Sequence, residues 1–226
     1  CLLILGDASV SAWHYSNSVY ASQVIRAMIR LGFSVDNEKV SVLDVGSRDF
    51  RGAFRNYVPP RWNFTGVDLT AGKGVDIVMQ DLYTLPFADG QFDLVASFNV
   101  FEHCDFFWLL FLEMVRVSRR YIYINAPSDY FEHGEGVLVD SWRYYRQAGG
   151  SLLRWAHHSG FKKLQLSQAF VSSLTKKGFR DANFLFTVAG DDGAFRIADQ
   201  LEFKLTLRNR CWVAMNATQK RKRRWL

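Results

Sequence analysis

An α/β fold built on a mainly parallel sheet is predicted by three features of this 226-residue sequence. Short, nearly continuous apolar runs alternate with segments of helical period, the pattern of a sheet covered on both faces. The first such run, Val40–Val45, is rich in β-branched residues and leads straight into a turn at Gly46. Only four prolines interrupt the chain, and composition is ordinary for a globular protein, with 49% hydrophobic and 22% charged residues. Whole-chain disorder is excluded. So is a membrane span of roughly 18 apolar residues, because the strongest run, Phe106–Val115, is short and holds Glu113.

The elements follow in order. Within Ser18–Leu31, Val19, Val24, Ile25, Met28 and Ile29 keep a helical period, and Gly32 is placed to stop the helix. Val40–Val45 is the first strand. A short helix is expected near Gly52–Tyr57, ending before Pro59-Pro60, and Asn63–Val67 is the second strand, closed by Asp68. Asp76–Met79 is a short strand ending near Asp81, and Phe92–Phe98 is a buried one. Phe106–Val117 reads as a helix packed on the sheet, and Tyr121–Asn125 as the next strand, before Ala126-Pro127. A helix at Leu152–Ser159 and strands at Phe161–Leu166 and Cys211–Met215 complete the pattern, with Ser172–Phe203 expected as a loop-rich insertion.

These elements divide the chain into an N-terminal helical cap (1–39), one main domain (40–216, with the insertion at 172–203) and a basic tail (217–226). Lys220, Arg221, Lys222, Arg223 and Arg224 supply most of the net charge of +6, so the body is nearly neutral. Such a tail reads as a solvated terminus or as a contact for an anionic surface. Cys1, Cys104 and Cys211 are an odd number without a CxxC pair, which gives neither a disulfide framework nor zinc spacing. A reducing compartment follows, and a cytoplasmic location is expected. Beginning on Cys1 rather than Met, the sequence reads as an excerpt or a processed chain.

In an open parallel sheet, ligands sit beyond the carboxyl ends of the strands. The first strand ends Leu43-Asp44-Val45-Gly46-Ser47-Arg48-Asp49, and the second ends Gly66-Val67-Asp68. An acidic residue about 20 positions beyond the glycine turn suits a pair of ribose hydroxyls. A dinucleotide site would add glycines that let the backbone approach a pyrophosphate, but Arg48 and Arg51 stand at those positions. S-adenosylmethionine carries an ammonium and a sulfonium and no phosphate, so Asp44 at the strand end is useful to it.

Residues Val42 to about Gly160 resemble the class I S-adenosylmethionine-dependent methyltransferases. Closer still, they resemble methyltransferase-domain proteins associated with surface-polysaccharide biosynthesis. The resemblance rests on Leu43–Asp49 with Gly52, Gly66-Val67-Asp68, Gly74–Val78, Leu85-Pro86-Phe87 before Phe92–Val95, Phe101-Glu102-His103, Phe106–Trp108 with Phe111–Met114, and Asp140–Tyr145. It implies a Rossmann-like methyltransferase fold with a mostly parallel seven-stranded sheet, and S-adenosylmethionine as the cofactor. By position, Asp44, Gly46 and Ser47 would line its methionine part, Asp68 would take the ribose hydroxyls and Leu69 would flank the adenine. Asp81 and Leu82 would meet the adenine edge, and Asn99 and Phe101 would border the transferring methyl. Two departures stand out. Arg48 replaces a common second glycine, and His133 and Asp140 lie seven apart, around Gly134-Glu135-Gly136.

A hydroxyl acceptor needs a general base, and histidine has the most suitable unperturbed pKa. His103 follows the fourth strand, on the rim where chemistry belongs, and His133 lies in an acidic loop after the fifth, where Asp140 could orient a base. His14 could close over the cofactor from the cap, whereas His157 and His158 read as surface or helix-capping residues. Trp142 and Tyr145, with Tyr144, could stack on a sugar, and Arg143 could clamp an anionic acceptor or form an internal ion pair. No metal ligands are expected. The reading is methyl transfer to a small or glycan-type acceptor, with oxygen as the expected acceptor atom. The alternatives are a non-catalytic nucleoside-binding module, or an RNA or protein methyltransferase that holds its substrate through the tail.

Overall fold

The structure is a computed structural model describing residues 8–48, 54–129, 139–172 and 179–188, with side chains in the first helix from Asn17 onward. The expected Cys211–Met215 strand, His133 and the Lys220–Arg224 tail lie outside the described residues.

Helix α1 (Ala8–Arg30) buries Tyr20, Val24 and Met28 at intervals of four, with Ala21 and Ile25 beside them. It ends where the sequence places its stop. Gly32 takes φ +94°, and the Gly32 and Phe33 N–H groups donate back to Ile29 and Met28 carbonyls, a Schellman closure.

Strands β1 (Ser41–Val45), β2 (Asn63–Asp68), β3 (Ile77–Val78), β4 (Phe92–Phe98), β5 (Ser118–Pro127), β6 (Gln165–Ser172) and β7 (Asp181–Thr187) form one sheet in the order β3-β2-β1-β4-β5-β7-β6. Pairing is parallel from β3 through β5, while β7 is antiparallel to both neighbours. A 3-10 turn at Phe54–Tyr57 stands where a short helix is expected, and another at Phe101–His103 follows β4. Helices α2 (Phe107–Val117) and α3 (Ala148–His158) cover one face. Leu43, Val45, Val95, Ile122 and Ile124 point to that side, and Val42, Leu94, Ala96, Tyr121 and Tyr123 point to the side of α1. Alternation along each strand thus builds two cores.

Two expectations are corrected. The strand expected at Phe161–Leu166 begins at Gln165, because Phe161–Leu164 forms a turn in which the Leu164 N–H donates to Phe161. The stretch expected as loop-rich, Ser172–Phe203, supplies β7, a strand buried along its whole length between β5 and β6. Its polar start conceals it in the sequence. Asn183 is buried because its carbonyl oxygen accepts from Tyr123 Oη at 2.6 Å and from Asn125 Nδ2 at 3.1 Å.

Asp93 works at the opposite end of the strands, where they begin. It accepts from the Ser41 N–H and hydroxyl and pairs with Arg119 at 2.8 Å, so it ties together the beginnings of β1, β4 and β5. Among the described residues, no helix is long and apolar enough to cross a membrane.

Candidate active site

The order of the sheet reverses between β1 and β4, which opens a crevice at their carboxyl ends. Gly46 turns the chain out of β1 at φ +83°, and a Cβ there would lie 2.1 Å from Val100 Cγ2, so the crevice closes around a missing side chain. The Gly46 and Ser47 N–H groups both donate to Val67 O, at 2.8 and 3.0 Å, and bind the turn to the end of β2. Ser47 is buried, with no hydrogen-bond partner for its hydroxyl among the described residues.

Asp68 accepts the Arg48 N–H on one oxygen at 3.2 Å and the Thr70 N–H on the other at 3.0 Å. A carboxylate offers about four lone-pair sites, so acceptor capacity remains on both oxygens. Arg48 does not need the freedom of the glycine it replaces. Among the described non-glycine residues only Asn99 has a positive φ, and the Arg48 side chain lies along Gly72, where a Cβ would be 3.1 Å from its Nε.

Asp44 is buried at the end of β1. Loss of solvation raises its pKa to about 7; Arg55 opposes the shift and Asp68 adds to it. Leu69, beyond Asp68, is half exposed, and Leu82 is half-buried against the core. Asp81 is exposed, and its carboxyl is held below the usual range by the Tyr83 N–H and the Thr84 hydroxyl, so it shapes the turn after β3.

Asn99 sits directly after β4 at φ +54°. Its Nδ2 donates to Asn17 Oδ1 of α1 at 2.8 Å, while its own buried Oδ1 has no partner among the described residues. The structure corrects Phe101, whose ring is fully buried among Phe107 and Tyr144 instead of bordering the crevice. The chain turns at Phe101 so that the ring fills the α2 face. Tyr144 is likewise a core residue, its hydroxyl donating to Phe101 O at 2.8 Å.

His103 and Asp140 come together. His103 Nδ1 stands 3.3 Å from Asp140 Oδ1, and Asp140 Oδ2 accepts from Arg143 at 2.8 Å. The Ser141 and Trp142 N–H groups donate to Glu102 O, at 2.7 and 3.2 Å, and fasten the Asp140 segment to the turn carrying His103. Arg143 therefore forms the internal ion pair foreseen as the alternative to an acceptor clamp. Trp142 packs edge-on against Phe107, and Tyr145 is largely exposed. His157 caps its own region, its Nε2 lying 2.7 Å from Leu164 O, and His158 is exposed.

Sequence reasoning gave Glu102 no role. It is fully buried, neither carboxyl oxygen has a hydrogen-bond partner among the described residues, and its Oε1 is 3.9 Å from His103 Nε2. Burial, reinforced by Asp140 and Asp181, pushes its pKa well above the ordinary carboxylate value. The available signal is a lone charge between apolar Phe101 and the rim histidine. The donor atoms of Glu102, His103 and Asp140 lie within 4.8 Å of one another, and Arg143 supplies positive charge at this cluster.

Residues 43–121 match the family described as a methyltransferase domain. Among solved structures, the chain is similar to the 1,6-didemethyltoxoflavin-N1-methyltransferase of Burkholderia thailandensis, which contains S-adenosylhomocysteine. That match has 15% identity and a TM-score of 0.56, covering 80% of this chain and 85% of that one. The CurJ carbon methyltransferase matches with 9% identity and a TM-score of 0.50, over 75% of this chain and 54% of that one. A SAM-dependent methyltransferase from Aquifex aeolicus matches with 16% identity and a TM-score of 0.48, over 74% and 92%. Among curated proteins, no sequence matches.

Residues 43–121 carry a methyltransferase domain, and the sheet around them has the fold of S-adenosylmethionine-dependent methyltransferases. That domain makes the chain a transferase, with S-adenosylmethionine as its cofactor. The crevice fits that group. A buried carboxylate suits a cation, the Gly46 turn leaves room that a side chain would fill, and the Ser47 hydroxyl and Asn99 carbonyl face burial without partners.

Proposed function

We propose that this enzyme methylates a small or glycan-type acceptor at oxygen, with His103 as the general base and Asp140 as the carboxylate that orients it. The 3.3 Å approach of His103 Nδ1 to Asp140 on the rim beyond β4 is the observation that carries this reading. A neutral amine or a thiolate can attack without losing a proton first. A hydroxyl benefits from a base as the new bond forms, and an imidazole fixed through Nδ1 presents Nε2 for that purpose. Association with surface-polysaccharide synthesis rests on the resemblance of the sequence.

S-adenosylmethionine supplies a methyl group on a sulfonium, transferred by in-line displacement. Asp44, Gly46 and Ser47 would hold its methionine part, Asp68 its ribose, and Leu69, Asp81 and Leu82 its adenine. Asn99 would flank the reacting region, and its bond to Asn17 supports a cap role for α1, which would exclude water. Trp142 and Tyr145, both exposed, would meet the acceptor. Asp140 Oδ1 and Val139 O, 3.3 and 3.4 Å from His103 Nδ1, would keep the proton there, and Nε2, 3.9 Å from Glu102, would take up the acceptor proton.

The test is transfer of labelled methyl to a panel of sugars, nucleotide sugars and phenols, with amines and thiols alongside. Methyl ethers formed by the wild type and lost in His103→Gln are expected. Products methylated only at nitrogen, sulfur or carbon, or an undiminished rate in His103→Gln, would overturn the reading.

A further inference from the structure

The outer surface of α3 combines charge and apolar area in a way that the active site does not use. From Ser141 to Arg180 the chain has eight Lys and Arg and no Asp or Glu. Two of the eight are engaged elsewhere, Arg143 with Asp140 and Arg180 with Asp129. Arg146, Arg154, Lys162 and Lys163 are exposed. Ser151, Arg154, Trp155 and His158, spaced by three and four residues, make the outward stripe of α3.

Beside this stripe lies an exposed apolar patch. Trp155 is 41% exposed, with its ring 5.7 Å from Trp108, and Phe106 (49%) and Leu109 (41%) extend the patch along the start of α2. Asp105, just before Phe106, is an acidic neighbour at its border. A soluble surface rarely gathers this many large apolar side chains without a partner.

We propose that this face docks on the anionic surface of a lipid bilayer. Trp155, Phe106 and Leu109 enter the headgroup region, and Arg146, Arg154, Lys162 and Lys163 face lipid phosphates. Aromatic side chains favour that interface, and each cation near it adds electrostatic attraction. Packing within the patch favours a bilayer over a nucleic acid or a sugar chain. Stacking partners need free ring faces, whereas Phe106 and Trp108 meet at 76° and Phe107 and Trp108 at 79°, which occupies faces with edges. Leu109 gains by leaving water and gains nothing from stacking. The contact is peripheral, like that of an interfacial amphipathic surface, and it brings the rim bearing His103 close to the membrane.

The experiment is co-sedimentation of the full chain with phosphatidylcholine vesicles, with and without phosphatidylglycerol. The variants are Lys162→Glu with Lys163→Glu, Leu109→Ser with Trp155→Ala, and a chain lacking residues 220–226. Thermal midpoint and S-adenosylmethionine affinity report on folding. Expected are binding only to the anionic vesicles, weakening with salt, and a loss of at least about tenfold in each of the two substituted chains at unchanged cofactor affinity. The chain lacking 220–226 keeps its sensitivity to both sets of substitutions. Four outcomes would each overturn the proposal: no vesicle binding, binding indifferent to the α2 and α3 substitutions, binding abolished by tail removal alone, or an RNA oligonucleotide competing with vesicles while Leu109→Ser with Trp155→Ala has no effect.

Discussion

A side chain on Gly46 would begin 2.1 Å from Cγ2 of Val100, so the turn after β1 and the segment after β4 meet across the crevice at a distance that only glycine permits. The conformation at φ +83° adds to that demand. Gly46→Ala is expected to destabilise the protein by about 1–3 kcal/mol and to weaken cofactor binding, because Val100 must retreat into the site. Adding Val100→Ala relieves the clash but not the backbone strain. The double variant should therefore recover part of the affinity, measured by calorimetry, and less of the thermal midpoint.

Asp44 makes cofactor affinity depend on pH. Its folded pKa of about 7 lies above its ordinary value, so the buried carboxyl favours folding least when it must ionise. Stability of the free enzyme should decline as pH rises from about 4 to about 7 and level off above that. Binding of a cationic cofactor favours the ionised form, so affinity should rise across the upper part of that range. Asp44→Asn is expected to raise the thermal midpoint of the free enzyme at pH 8 and to lower S-adenosylmethionine affinity by at least about tenfold. An unchanged affinity would remove Asp44 from the site.

Removal of the base should show in rate more than in binding. His103→Gln is expected to lower kcat by about 10²- to 10⁴-fold with little change in cofactor affinity, and to flatten the acid limb of the pH–rate profile. Asp140→Asn keeps the shape but loses the charge that orients His103 and pairs with Arg143, so it should lower kcat and the thermal midpoint together. Equal acid limbs in wild type and His103→Gln would assign the base elsewhere.

Glu102 is buried with its pKa far above the ordinary value, so stability should fall with rising pH between the unfolded and folded values. Glu102→Gln removes that penalty. Its thermal midpoint should exceed that of the wild type at alkaline pH, with the difference shrinking toward pH 4. A difference independent of pH would show that Glu102 is not the titrating group.

Asn99 occupies left-handed backbone at φ +54° and holds Asn17. Asn99→Gly keeps the conformation and loses the bond to α1, whereas Asn99→Ala loses both. The alanine variant should be the less stable by about 1 kcal/mol in denaturant unfolding. The same order in cofactor affinity would tie the backbone at Asn99 to the crevice.

Much of the sheet is legible in local pattern. Phe92–Phe98 is bounded as the sequence predicts, and β1 and β2 begin or end within a residue of expectation, because a strand buried on both faces is an uninterrupted apolar run. β7 is not legible. Asp181 and Asn183 look like loop residues until Tyr123 and Asn125 of β5 are beside them, and those partners are brought near only by the sheet. Phe101 fails for a related reason. Its position after β4 is correct, but which way a side chain turns from the rim depends on the cavity left by Phe107 and Tyr144.

The sequence by itself determined the alternation of strands and helices, the glycine turn with its acidic partners Asp44 and Asp68, and hence the class of cofactor. Those are properties of short segments, set by side-chain period and backbone freedom. Tertiary structure alone decided that Asp140 reaches His103 and takes Arg143, that Glu102 is sealed from water, and that Trp155 meets Trp108 on an open, cation-rich face. These depend on desolvation and on contacts between distant segments. Neither exists until the chain has folded and water has been displaced from the spaces between its elements.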